Sequence, residues 1–125
     1  MAGDNGLIDE REYKGLFSMT FEELEFFCYM KSDYIISRAD YINWDAVSRL
    51  APINSYSWDF IEDYIDELNW KYISKYQYLT MDFVKKFNHK LSLGLLLHNK
   101  TFMQNNKKDD VIKVFVWNIE IENLL

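Results

Sequence analysis

An all-α fold of short helical hairpins, repeated about every 23 to 26 residues in a small solenoid-like array, is the architecture this sequence predicts. Three observations carry it. Residues 68–91 set Trp70, Ile73, Tyr76 and Gln77, then Met81, Phe83, Val84, Phe87 and Leu91, at the three- and four-residue steps that line one helix face. Weaker copies of that stretch lie on both sides of it. Four Gly and one Pro leave little room for a turn-rich all-β fold, while 49% hydrophobic and 18% aromatic content supplies anchors for a core.

In chain order, residues 1–19 are polar, match the repeat poorly and read as an arm or cap of a single domain spanning 1–125. Thr20 and Glu23 form a capping box that starts a helix over 21–31, with Phe21, Leu24, Phe27 and Cys28 on one face. Cys28 is expected there as a small buried hydrophobe, not a reactive thiol, because its neighbours are apolar and acidic. The first helix of each hairpin is led by Phe21, Trp44, Trp70 and Leu93 in turn, with Thr20, Asn43, Asn69 and Ser92 as caps. Leu24, Val47, Ile73 and Leu96 repeat as the second apolar anchor.

The second helix of each hairpin begins at Asp33-Tyr34-Ile35, Asp59-Phe60-Ile61 and Asp82-Phe83-Val84, the last behind a Thr80 cap, with a looser Asp110-Val111-Ile112 as a fourth. Three extra residues in one unit fall near Pro52, Asn54 and Ser55, where turn chemistry absorbs them. The repeats thus cover 20–103. Phe21, Trp44, Trp70, Ile73, Phe83 and Phe87 are the expected core, and Ser74 a small residue at a helix crossing.

Residues 104–125 form a C-terminal cap or interface segment. Within 110–122, β-branched residues and the alternation of Trp117, Ile119 and Ile121 with Asn118, Glu120 and Glu122 also fit a strand. Helix is the favoured reading, because Asp110-Val111-Ile112 continues the repeat and a lone strand lacks a partner within the chain. A strand would pair with another chain. Trp117 and Ile121 are therefore candidate partner-binding residues, and the segment a route to a homo-oligomer.

The run Trp70, Ile73-Ser74, Tyr76-Gln77, Leu79-Thr80, Phe83-Val84, Phe87 resembles the short Trp/Ile-Ser/Gln-Leu/Phe-Ile repeats of largely uncharacterised proteins of large DNA viruses and bacteriophages. The clear match covers 69–91, and weaker copies extend it over 33–103. Gln77 becomes Ala51 and Lys100 in the neighbouring copies, and the lead Trp becomes Leu93. The resemblance implies a viral or phage origin and a helical repeat, with no common activity.

Chemistry-bearing motifs are sparse. No Gly-rich phosphate loop or nucleophile elbow accompanies the serines, and His89 and His98 have no metal-site spacing to Cys28 or a carboxylate. The sequence predicts no enzyme, cofactor or metal. Asn99-Lys100-Thr101 is formally a glycosylation sequon, read as a chance match. With one Cys, no signal-like start and no apolar run near the ~20 residues that span a bilayer, the expectation is a soluble intracellular protein, in the host cytoplasm or in a virion.

Charge is the most informative functional feature. Residues 1–67 hold fifteen acids against five bases, a net of −10, whereas 68–125 hold five against nine, a net of +4; together they give the whole-chain −6. Asp59, Glu62, Asp63, Asp66 and Glu67 interleave with apolar residues and read as an acidic outer face that would attract a basic protein partner. The leading expectation is a non-catalytic protein–protein interaction module, an accessory factor engaging a host protein. A structural component of a virion or other assembly is one alternative. An acidic nucleic-acid mimic that inhibits a host nucleic-acid enzyme is the other. Direct nucleic-acid binding is disfavoured by the net charge.

Overall fold

A computed structural model describes residues 26–124, with side chains as far as Val116. The described residues are helical and contain no strand. Helical residues 26–28 are followed by α1 (Ser32–Ser37), α2 (Trp44–Leu50), a 3-10 turn (Ile53–Ser55) and α3 (Trp58–Asp63). Then come α4 (Trp70–Tyr76), α5 (Met81–Phe87), α6 (Leu93–Leu96), α7 (Lys100–Gln104) and α8 (Lys108–Leu124). Most hold four to seven residues, too few to persist alone in water. Caps and burial must hold them, and the chain groups them into two compact units, Met1–Asn69 and Trp70–Leu125.

In the first unit, Asn43 accepts the Ala46 N–H at 3.0 Å to start α2, and Ser57 accepts the Phe60 N–H at 3.1 Å to start α3. Ile35, Val47, Ile53 and Ile61 are fully buried. Trp44 stacks on Tyr64 with centroids 5.1 Å apart and planes at 30°, and Tyr64 lies 5.1 Å from Phe60. The indole N–H of Trp44 donates to the Ala39 carbonyl at 3.0 Å. Tyr56 is buried and its hydroxyl donates to the Met30 carbonyl, joining positions 26 residues apart. Burial pushes the Tyr56 phenol well above its ordinary range, so it remains a donor.

In the second unit, Thr80, Ser92 and Asn99 cap α5, α6 and α7 by accepting the N–H groups of Phe83 at 3.3 Å, Leu95 at 3.3 Å and Phe102 at 3.1 Å. Trp70 lies 5.6 Å from Phe87 and 6.3 Å from Phe83, and those two rings are 4.9 Å apart. Helix α4 packs on α6, and α8 packs on α5 and α6. Ile73, Val84, Leu96, Phe102 and Val111 are fully buried. A buried Val, Ile, Leu or Phe is worth about 1.5 to 3 kcal/mol, against a few tenths for helix propensity, so packing decides the fold.

Several expectations are corrected. The helix predicted over 21–31 ends at residue 28, and Cys28 is exposed, because the chain turns there and Met30 takes the buried place. Trp44 and Trp70 are only half-buried: Trp44 lies against Tyr64 in the first unit, and Trp70 lies against Phe83 and Phe87, which with Ile73 are buried residues of the second. Residues 108–124 form a helix, which agrees with the favoured reading; the strand alternative over 110–122 does not occur. The acidic helix stops at Asp63, shorter than the charge pattern suggests, as the Ile65 N–H turns to the Glu62 carbonyl three residues back instead of Ile61 four back. Phe21, Leu24 and the Thr20 cap lie outside the described residues.

Candidate interaction surface

Two buried serines do more than fill a crossing. Ser48 Oγ donates to the Trp44 carbonyl at 2.7 Å and accepts the backbone N–H of Asn69 at 2.7 Å. Ser74 Oγ donates to the Trp70 carbonyl at 2.8 Å and accepts the N–H of Ser92 at 2.9 Å. Each hydroxyl thus ties its own helix, α2 or α4, to a backbone group well beyond it in the chain. Sequence reasoning read Ser74 only as small. Both serines stand four residues after a lead Trp, a spacing that marks their helix face but not the second bond to a distant backbone N–H.

Asn99 is a second polar tether. It is 2% exposed, and while its Oδ1 caps α7, its Nδ2 donates to the carbonyls of Ser74 at 3.0 Å and Gln77 at 2.8 Å. It joins the C-terminal end of α4, with orphan carbonyls, to the N-terminal end of α7, with orphan N–H groups. The sequon nitrogen is therefore buried and occupied in the folded chain. These polar groups serve the scaffold.

The five predicted acids are all exposed. Asp59, Glu62 and Asp63 stand on α3, while Asp66 and Glu67 belong to the turn after it. That turn is closed by the Glu67 and Leu68 N–H groups bonding the Tyr64 carbonyl at 3.0 and 3.1 Å, which sends Leu68 inward and leaves the two acids outside. Trp58, the first residue of α3, is 47% exposed beside Asp59. Sequence reasoning did not single it out, because residue type alone does not tell an exposed Trp from a buried one. Trp117 and Ile121 fall on α8, with side chains outside the described residues.

Among the described residues, no three of His, Cys, Asp and Glu come together as a metal site would require. His89 and His98 are both exposed, and His98 Nδ1 lies 2.9 Å from the Gly94 carbonyl. No helix among the described residues is long and apolar enough to cross a membrane. Comparison with known proteins finds no matching family model, no matching curated protein and no matching solved structure.

Proposed function

We propose that the chain is a non-catalytic protein–protein interaction module, an accessory factor of a virus or phage that engages a basic host protein inside the cell. The observation that carries this reading is the composition of α3 and its following turn: a half-exposed Trp58 beside Asp59, with Glu62, Asp63, Asp66 and Glu67 exposed along the same segment. A large aromatic ring that gains burial on docking is the usual source of binding energy, and surrounding charge of one sign steers the partner. Short helices held by internal caps and tethers present such a segment rigidly, in the manner of stacked helical hairpins.

The test is affinity purification with mass spectrometry, followed by binding kinetics with the purified partner. Exposed charges interact over about 10 Å at moderate salt. The Glu62→Lys/Asp66→Lys variant should therefore associate more slowly, with a weaker salt dependence, while Trp58→Ala should chiefly speed dissociation. Salt-independent binding with unchanged kinetics in both variants would remove this surface from consideration. Recovery of a capsid or scaffold component would point to the structural role, and recovery of a nucleic-acid enzyme displaced by nucleic acid would point to mimicry.

A further inference from the structure

We propose that the lysine-rich surface of the Trp70–Leu125 unit binds the phosphate backbone of single-stranded nucleic acid. The two units have net charges of opposite sign: the first is net −10 and the second net +4. The whole-chain charge of −6 argues against such a ligand, but exposed charges act over about 10 Å at moderate salt, so a polyanion meets local charge. From residue 83 to residue 108 there is no Asp or Glu. The same span holds Lys85, Lys86, Lys90, Lys100, Lys107 and Lys108, all exposed, with exposed His89 and His98 between them.

Local helix stabilisation explains only part of this. Lys85 and Lys86 sit in the last turn of α5, where a cation complements the carbonyl end of the helix dipole. Lys100 and Lys108 are the first residues of α7 and α8, and Lys107 precedes α8; there the dipole disfavours a cation. Asp82, Asp109 and Asp110 flank the span, so its six lysines outnumber the carboxylates nearest in sequence, and the excess is suited to an external anion.

The second unit has nine Lys and no Arg. Lysine ammonium groups bind phosphate as point charges, without the fixed fork geometry of a guanidinium, which fits backbone contact and not base recognition. Tyr78, 54% exposed between α4 and α5, offers a ring on which an unpaired base can stack without regard to sequence. The inference does not depend on the acidic surface of the first unit, and either reading can fail alone.

The experiment is fluorescence anisotropy of a labelled oligothymidylate with the full chain. Binding is expected at low salt, and if three phosphates are neutralised it should weaken about 20-fold between 50 and 200 mM salt. Lys85→Glu/Lys86→Glu/Lys90→Glu should weaken it at least about tenfold with an unchanged circular dichroism spectrum, and Glu62→Lys/Asp66→Lys should not weaken it. No binding at about 100 µM protein in 50 mM salt, the weak end of non-specific affinities, would overturn the proposal. So would binding indifferent to the triple lysine variant. Sedimentation of the chain alone supplies a further arm: self-association abolished by that variant, with no oligonucleotide bound, would assign the lysines to the acidic unit of a second copy.

Discussion

The two units carry the same aromatic arrangement and close it differently. Trp44, Phe60 and Tyr64 in the first correspond to Trp70, Phe83 and Phe87 in the second, and the ring spacings agree to about half an ångström: 5.1 against 5.6 Å from Trp to the last ring, 5.1 against 4.9 Å within the pair. Ser48 and Ser74 repeat as well. What differs is the long-range polar tether. The first unit reaches back with the Tyr56 hydroxyl to Met30, a position whose counterpart in the second unit is the buried, apolar Leu79. The second uses the Asn99 amide. The lesson is that an apolar pattern specifies where helices pack, while individual polar groups decide how each package is fastened.

The comparison can be broken most directly at the aromatic position. Phe87 is 1% exposed, so Phe87→Ala should cost about 3 to 5 kcal/mol in chemical denaturation. Tyr64→Ala, at the half-buried equivalent, should cost clearly less. Equal losses would mean that the two aromatic clusters carry equal weight despite their different burial.

The tethers come next in size. Asn99→Ala removes a cap and leaves the Ser74 and Gln77 carbonyls short of a donor, at a cost of about 2 to 4 kcal/mol. Ser48→Ala and Ser74→Ala each remove the acceptor of a backbone N–H and should cost about 1 to 3 kcal/mol, read from denaturant midpoints. Matching losses for the two serines would sharpen the equivalence of the units.

A pH titration separates the tethers by chemistry. The Tyr56 phenol is raised in the fold above its ordinary value of 10.0. Its contribution is therefore fully present below pH 10.0 and is lost as pH rises through the folded value, because the unfolded chain releases the proton first. Tyr56→Phe should cost about 1 to 3 kcal/mol at neutral pH and flatten that alkaline loss of stability. Alkaline melting identical in parent and variant would show that the phenol is not a pH-sensitive tether. The smallest effect belongs to the surface: Glu62→Lys/Asp66→Lys should change stability by no more than about 0.5 kcal/mol per site, since both residues are exposed.

Helical class, the starts of α2, α5 and α6, and the second anchors Val47, Ile73 and Leu96 follow from the sequence alone. A three- and four-residue apolar period and a side-chain cap are local properties, fixed within one or two turns. The exposure of all five acids follows in the same way. Tertiary structure alone decided that Trp44 and Trp70 are each only half-buried, and that Cys28 faces out and Met30 in. It also decided that Ser48, Ser74 and Asn99 are fasteners. Each of these depends on which distant backbone group comes within hydrogen-bonding reach, or which of two neighbouring side chains fits the remaining volume. Neither quantity is encoded in periodicity, because a serine that bridges and a serine that merely fits occupy the same place in the pattern.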